Sequence, residues 1–423
     1  GGWCYQPVAH RLRARGHDVR LVLPYYGCIR KANLPACDTG ISVPVTISGR
    51  TETARIWESA MDDGTPVSLI RKDGYYDRDE LYGTAEGDYH DNAERFCFFS
   101  RAVVALAKRM GIAPDIVHCH DWQTGLVCAL LKVVERAHPV FAGTGAVFTI
   151  HNLAYQGLFW HYDMHLTGLP WNVFTAEGIE FYGKINLLKA GIVYADAITT
   201  VSRRYSEEIQ GAELGCGLEG LLARRRGDLH GILNGADYRQ WDPASDPHLA
   251  ARYTPDALEG KARCKEDLLR LFGLNLPPGT PLAGMVGRMA DQKGYDLLAA
   301  ALPGLLDAGL ALVILGKGEE RYHRLLRHLA KGSSGRLGVK IAFDNALAHK
   351  IEAGADYYLM PSRYEPCGLN QIYSLRYGTV PIVRAVGGLD DTVSAYAPAT
   401  GEGNGFKFVP YTAGAFLGAV REA

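Results

Sequence analysis

Tyr357-Tyr358-Leu359-Met360-Pro361-Ser362-Arg363-Tyr364-Glu365-Pro366-Cys367-Gly368-Leu369-Asn370-Gln371-Ile372-Tyr373-Ser374-Leu375-Arg376-Tyr377-Gly378 reads as a strand, a turn and a helix in succession. The apolar run ends at Pro361, and Pro366 and Gly368 punctuate the turn before a helical pattern resumes. Glu365 stands where the strand releases the chain. Cys367-Gly368-Leu369 opens the helix, whose first N–H groups lack partners inside the helix and can face an anion. A carboxylate and an anion site at one spot suit the transfer of a group off a phosphate.

Working outward, the same unit recurs. Short β-branched runs such as Asp115-Ile116-Val117-His118, Ala146-Val147-Phe148-Thr149-Ile150 and Ala197-Ile198-Thr199-Thr200-Val201 each end in polar or glycine-containing turns and lead into helical patterns. Pro281 to Gly287, Ala311 to Gly316, Val339 to Phe343 and Val380 to Val383 continue the series. Continuous apolar strands alternating with helices mark parallel sheets covered on both faces, so α/β architecture is expected in both halves. The divide is placed near residue 230, giving domains over 1–230 and 231–423. Around it lie Arg224-Arg225-Arg226-Gly227-Asp228, Ile232-Leu233-Asn234-Gly235 and a Pro- and Asp-rich segment from Trp241 to Pro255, read as a connection between packed units. Ligands of doubly wound sheets bind outside the carboxyl ends of the strands, so polar residues just past each strand are the ones to weigh.

The 423 residues suffice for two domains, and 47% hydrophobic with 22% charged residues is the balance of a folded globular chain. Forty-five Lys and Arg against forty-six Asp and Glu leave a net charge of -1, without the excess that drives non-specific nucleic-acid binding. No apolar run reaches the roughly 18 residues of a membrane-spanning helix. Nine scattered cysteines favour reduced thiols, and a reducing cytoplasm or plastid stroma is the expected compartment. The ends read as those of a fragment. One short helix precedes the first strand, Arg20 to Pro24, and a helix begun at Phe416 stops at Ala423.

Several strand ends offer chemistry. In His118-Cys119-His120-Asp121-Trp122 the two histidines share a side of the strand, but no second Cys or His pair follows at ligand spacing, and histidines satisfied at a strand end are expected in place of a metal site. Asp121 reads equally as a structural group and as a carboxylate for sugar hydroxyls. His151-Asn152 ends the next strand in the same way. In Tyr89-His90-Asp91-Asn92, Asp91 or Asn92 would cap the helix that follows, and Tyr89 could instead stack on a sugar. Arg288 and Lys293, at the start of a helix after Met285-Val286-Gly287, can bind a diphosphate. Gly316-Lys317-Gly318 lacks the third glycine of a dinucleotide fingerprint, since Arg321 stands there, and a nicotinamide enzyme is disfavoured.

Taken together, HCHDWQTGL (118–126), TIHNLAYQGLF (149–159), GILNGADYRQWDP (231–243), VGRMADQKG (286–294), SRYEPCGLNQIYSLRYGT (362–379) and GGLDDTV (387–393) resemble, in order, the motifs of bacterial glycogen synthases and plant starch synthases. The resemblance runs from about Gly16 to the end. It implies a glycosyltransferase B fold, with two doubly wound Rossmann-like domains facing across a cleft. It also implies transfer of glucose from ADP-glucose to the non-reducing end of an α-1,4-glucan, with retention of configuration and no metal or other cofactor. By the resemblance, Arg288 and Lys293 hold the donor diphosphate and steady the departing ADP, and Glu365 lies near the transferred glucose. Cys367, Gly368, Leu369 and Asn370 surround the donor sugar and phosphates, His151 and Asn234 meet the glucosyl group, and Asp121 and Tyr89 lie beside donor and acceptor. Phe343 occupies the adenine-contacting position, where many bacterial members carry Tyr. One departure is that no lysine precedes Gly1-Gly2, where the family has a Lys-x-Gly-Gly-Leu loop. A fragment lacking that loop and the returning carboxyl-terminal helix is expected to have reduced activity. Competing readings are a related retaining transferase using UDP-glucose and a non-catalytic glucan-binding homologue.

Overall fold

The computed structural model describes residues 5–84 and 87–423, so Gly1-Gly2 lie outside the described residues. The chain divides into two compact units, one comprising the residues up to Thr200 with Ile209–His230, the other Val201–Glu208 with Gly231–Ala423. The short helix Arg203–Glu208 thus belongs with the second unit. It packs against the helix Gly387–Thr392, where the Glu208 carboxylate accepts from Gly387 N–H at 3.1 Å.

The first unit opens with β1 (Leu21–Pro24), β2 (Cys37–Ile47), β3 (Arg50–Ala60) and β4 (Pro66–Arg71), in the order β1-β4-β3-β2. Only β1 and β4 are parallel; β4, β3 and β2 form an antiparallel meander. The meander adds antiparallel strands to the parallel ones expected of α/β architecture in this half. Val43, Val45 and Ile47 are buried while Ser42, Pro44 and Thr46 between them are exposed, the alternation of a strand covered on one face. Ser48 and Gly49, at φ 52° and 75°, make the two-residue turn that lets β2 fold back onto β3. The helix Asn92–Met110 packs on β2 and buries Phe96, Phe98 and Phe99, with Phe96 against Trp122 and Phe98 against Tyr75.

A small ribbon, β5 (Gly83–Thr84) with β6 (Gly87–Asp88), precedes that helix. Then come β7 (Ile116–His120), β8 (Gly145–Ile150), the antiparallel trio β9 (Leu158–Trp160), β10 (Glu180–Phe181) and β11 (Lys184–Asn186), and finally β12 (Ala197–Thr200) and β13 (Leu229–Gly231). β7, β8 and β12 run parallel in a sheet ordered β13-β12-β8-β7. The arginine run is not merely a divider. Arg225 donates to the carbonyls of Ile192 and Ala195 at 2.6 and 2.9 Å, closing the carboxyl end of the helix Leu187–Tyr194.

The second unit has one parallel sheet of six strands: β14 (Leu282–Val286), β15 (Ala311–Gly316), β16 (Leu337–Ile341), β17 (Tyr357–Met360), β18 (Val380–Arg384) and β19 (Phe406–Phe408), in the order β16-β15-β14-β17-β18-β19. Every residue of β15 is buried, as a central strand covered on both faces requires. Leu298, Leu305 and Phe416 fill one face, and Leu268, Leu347 and Ile351 the other. The chain winds outward from β14 through β15 to β16, then returns past β14 to continue through β17 to β19. The strand order therefore reverses between β14 and β17, and the crevice beyond their carboxyl ends is where a doubly wound sheet holds its ligand.

The segment from Trp241 to Pro255, read as a connection, is instead docked onto this unit. The Trp241 ring lies between His349, at 3.6 Å and 12°, and Tyr373, at 4.1 Å and 4°. Asp246, 2% exposed, accepts from His349 Nδ1 at 2.7 Å and the Tyr377 hydroxyl at 2.6 Å. Burial pushes the Asp246 carboxyl up, but these two bonds outweigh it and hold the group below its usual range. Prolines and aspartates look like linker punctuation in sequence; here their backbone turns are clamped by aromatic stacking and a buried acceptor.

Candidate active site

The crevice between β14 and β17 is built by four pieces of chain. Gly287-Arg288 follow β14, the turn Asp291–Lys293 opens the helix Tyr295–Asp307, the loop 361–369 follows β17, and Asn370 begins the helix Asn370–Arg376. Together they line a cavity of about 220 Å³ whose walls include Val286, Arg288, Lys293, Ser362, Gly368, Leu369 and Asn370. A larger cavity of about 430 Å³ opens at the other end of the sheet, around Pro281, Leu310, Tyr357 and Ala423, and gathers none of the expected donor- or acceptor-binding residues.

Glu365, 5% exposed, anchors the site. Its carboxylate accepts from Lys293 Nζ at 2.6 Å and from the Ser362 hydroxyl at 3.1 Å, so it is tied to two residues of the cavity wall. The Arg288 guanidinium donates to the Gln292 side chain at 3.3 Å, while the Gln292 carbonyl accepts from Arg363 N–H at 2.8 Å. Gln292, buried and overlooked in the sequence, joins the two wall segments that carry the cations and the carboxylate. Asn370 Nδ2 reaches the Val286 carbonyl at 3.3 Å and the Tyr358 hydroxyl, pinning the helix start to the end of β14.

Two glycines make this crowding possible. Gly294, at φ 75°, sits so close to the Pro361 carbonyl that a Cβ would lie 2.0 Å from its oxygen. Gly387, at φ 45°, would place a Cβ 2.0 Å from the Glu365 carbonyl oxygen. Only glycine fits where backbone meets backbone at such range in a left-handed conformation. Cys367 is buried beneath the same loop, its carbonyl accepting from Gln371 Nε2 at 3.0 Å. Phe343, by contrast, is 92% exposed beyond β16 and does not line the cavity. Asn234 is half-buried in the loop after β13 and is likewise absent from the cavity wall.

The first unit gathers its own group at the ends of β7 and β8. Asp121 holds φ 55° and ψ −175°, a conformation L-residues avoid, and its carboxylate accepts from His151 N–H at 2.8 Å. Burial pushes its carboxyl up to about 6 against the pull of the His151 and Asn152 amides. His118, His120 and His151 form a stack, with ring centroids 4.1 and 5.4 Å apart. His118 Nε2 meets Thr149 Oγ1 at 2.6 Å, and His120 Nδ1 meets His151 Nε2 at 3.2 Å. Burial lowers His118 and His151 to about 4, and His120 well below its ordinary value, so all three are neutral at pH 7. Histidines satisfied at strand ends describe His118 and His120, and the bond that orients His151 comes from His120. Among the described residues, no three His, Cys, Asp or Glu side chains are placed to hold a metal ion.

Tyr89 behaves differently from the expectation of a free stacking ring. The guanidiniums of Arg78 and Arg95 lie over it at 4.5 and 5.1 Å, so a sugar would compete with two cation–π contacts. Neither expected helix cap forms. Asp91 pairs with Arg78, and Asn92 Oδ1 accepts from the buried Arg95 at 2.6 Å.

Comparison with known proteins covers nearly the whole chain. The family model described as "Starch synthase catalytic domain" matches residues 5–224, and "Glycosyl transferases group 1" matches 271–423. The glycogen synthase of Koribacter versatilis is 50% identical over 418 residues, covering 98% of this chain and 85% of that protein. Glycogen synthase 2 of Geobacter sulfurreducens is 46% identical, with 97% and 85% covered. The catalytic domain of starch synthase IV from Arabidopsis thaliana, solved bound to ADP and acarbose, superimposes with a TM-score of 0.90 at 31% identity, covering 98% of this chain and 86% of that one. With its two Rossmann-like units and its sequence matched along nearly its whole length, the chain belongs to the glycogen and starch synthase family, glucosyltransferases of the B fold that build glucan.

Proposed function

We propose that the donor is ADP-glucose and that glucose passes to the non-reducing end of an α-1,4-glucan with retention of configuration and without a metal or other cofactor. The observation that carries this reading is the cavity at the switch point between β14 and β17, where Arg288 and Lys293 share one wall and Glu365 is bonded to two of its lining groups. Two cations there would bind the diphosphate and offset the charge that develops as ADP departs, the term that usually dominates such catalysis. Glu365, held beside Lys293, would face the positive sugar of the transition state. His151 and Asn234 are assigned to the glucosyl group, and Asp121 to a position beside donor and acceptor. A neutral His151 can exchange hydrogen bonds with sugar hydroxyls without adding positive charge beside an oxocarbenium-like centre.

The acceptor glucan would lie along the first unit, with Tyr89 near it. Cys367, Gly368 and Leu369 would present backbone to the donor, with Asn370 fixing the helix start. Phe343 is assigned to adenine, an exposed ring that nucleotide stacking would cover. A cytoplasmic location is part of the same proposal, and no helix among the described residues is long and apolar enough to cross a membrane. The test is incorporation of labelled glucose into glycogen from ADP-glucose and, separately, UDP-glucose. Incorporation from ADP-glucose, abolished by Glu365→Ala, is expected; a preference for UDP-glucose, or undiminished transfer by Glu365→Ala, would overturn the assignment.

A further inference from the structure

β14 pairs with β15 along its whole length, from Leu282 to Val286, but with β17 only at Ala283–Tyr357 and Gly284–Tyr358. Past Gly284 the two strands part, and the crevice of the second unit opens between their ends. Val286 has no paired residue on β17, and a buried backbone group left without a partner is costly. A side chain supplies what the strand does not. The Tyr358 hydroxyl accepts from Val286 N–H at 3.0 Å, lies 3.3 Å from the Val286 carbonyl and also accepts from Asn370 Nδ2. Val286 and Asn370 line the cavity, whereas Tyr358 is fully buried behind them. Arg288 follows Val286 by two residues, and Gly368-Leu369 lead into Asn370, so a shift at either point moves the walls that carry the expected donor contacts.

A hydroxyl has two lone pairs and one proton. Val286 N–H and Asn370 Nδ2 occupy the lone pairs. For the proton, the Val286 carbonyl is distant and already accepts from Asn370 at 3.3 Å, which leaves room for a second acceptor. Glu352 stands in the last turn of the helix Asn345–Gly354. That helix rests so closely on β14 that a Cβ on Gly284 would lie 2.5 Å from Ile351 Cγ2. Glu352 is 1% exposed, and neither oxygen of its carboxyl has a hydrogen-bond partner among the described residues. A charged group held in that way would be very costly. Burial pushes the carboxyl well above its usual range, opposed by the Lys261 ammonium and the Tyr358 hydroxyl. Lys261 already donates to the Ala353 and Tyr377 carbonyls and the Thr379 hydroxyl, at 2.9, 3.1 and 2.7 Å, so its three protons are placed. Tyr358 is the neighbour with a proton still to place.

We propose that Tyr358 and Glu352 are positioning residues for donor binding: the hydroxyl stands in for β17 backbone at Val286, the Glu352 carboxyl backs that hydroxyl, and together they set the separation of Val286 and Asn370 across the crevice. Neither touches the donor. The proposal rests on the reading of this cavity as the diphosphate site. The test measures ADP binding by calorimetry, kcat and KM for ADP-glucose, KM for glycogen, and Tm. It compares the unmodified chain with Tyr358→Phe, Glu352→Gln, Glu352→Met and Tyr358→Phe/Glu352→Met, and uses Lys293→Met as the control for the site.

Tyr358→Phe leaves Val286 N–H and Asn370 Nδ2 without their acceptor, and ADP affinity should fall, with the donor KM rising, by about fivefold. Its kcat should stay within about twofold and its KM for glycogen unchanged, the pattern of a lost binding contribution. Glu352→Gln keeps an uncharged polar group of the same shape and should bind ADP as the unmodified chain does. Glu352→Met removes an unpartnered polar group, so its Tm should hold or rise while ADP binding weakens. The double variant should bind no more weakly than Tyr358→Phe, because Glu352 acts through the hydroxyl. A lowered Tm with unchanged ADP affinity and donor KM in Tyr358→Phe would make the hydroxyl merely structural and overturn the proposal. So would full additivity of the Tyr358→Phe and Glu352→Met losses, or unchanged ADP binding by Glu352→Met. If Lys293→Met weakens ADP binding and Tyr358→Phe does not, the positioning role falls and the diphosphate reading stands. If Lys293→Met binds ADP as tightly as the unmodified chain, the diphosphate reading falls and this proposal with it.

Discussion

Replacing Glu365 by Gln removes a charge but little volume, and it separates what this carboxylate does for the fold from what it does for transfer. Glu365 and Lys293 meet at 2.6 Å, with 7% of the Glu365 and 23% of the Lys293 side-chain surface exposed. A fully exposed pair would be worth about 0.5 kcal/mol, and breaking a fully buried one costs about 3–5 kcal/mol. The partial exposure of Lys293 places the coupling between these, at about 2 kcal/mol. Glu365→Gln and Lys293→Met should each lower the second unit's Tm by several degrees, at about 2–4 °C per kcal/mol for a unit of this size. The double variant should lose less than their sum. Calorimetry of the four proteins gives the cycle. Binding of ADP gives an independent readout: Lys293→Met should weaken it by about tenfold or more, the loss of one charge-assisted contact, whereas Glu365→Gln releases Lys293 from its internal partner and should bind ADP at least as tightly while failing to transfer glucose. A coupling near zero, or equal weakening of ADP binding by both single variants, would refute the picture of a cation shared between Glu365 and the diphosphate.

Two further outcomes follow from buried polar groups. Asp246→Asn leaves His349 and Tyr377 without their charged acceptor under the Trp241 stack and should destabilise the second unit by about 2–4 kcal/mol, read in denaturant unfolding; a loss under about 0.5 kcal/mol would mean that the segment is only loosely docked. The first unit should weaken in mild acid. Its three buried histidines have folded pKa values below the unfolded value of about 6.5, so the unfolded chain takes up protons first and stability falls from about pH 6.5 towards pH 4. Asp121, raised to about 6, works in the opposite sense, because on acidification the folded state gains its proton before the unfolded one. Three groups against one make the net change a loss, and Asp121→Asn should steepen it; stability that is flat or rising between pH 7 and 5 would contradict the buried, neutral stack.

How much of this was legible depended on the range of the forces involved. The second sheet was readable because β14, β15, β17 and the buried stretch of β18 are continuous runs without charge, as strands covered on both faces must be. The meander β2 to β4 carried an equally physical signal, the alternation of Val43, Val45 and Ile47 with polar residues, but a search for continuous apolar runs passes over it. Trp241 to Pro255 misled because turn residues look alike whether the turn hangs free or is clamped, and the clamp, His349 and Tyr373, lies more than a hundred residues away. Tyr89 was chosen for its ring, and nothing near it in sequence announces that the Arg78 and Arg95 guanidiniums lie over that ring.

By itself the sequence determined the alternation of strand and helix, the places where strands release polar residues, and a family resemblance carried by six ordered motifs. These are local properties, set by side-chain periodicity and by the backbone preferences of Gly and Pro. Only the tertiary structure decided that Ser362 and Lys293 share the Glu365 carboxylate, that Gln292 joins two walls of one cavity, and that His120 orients His151. Each of those depends on the reversal of strand order beside β14 or on the parallel pairing of β7 with β8, where hydrogen bonds and packing bring together residues that the chain keeps apart.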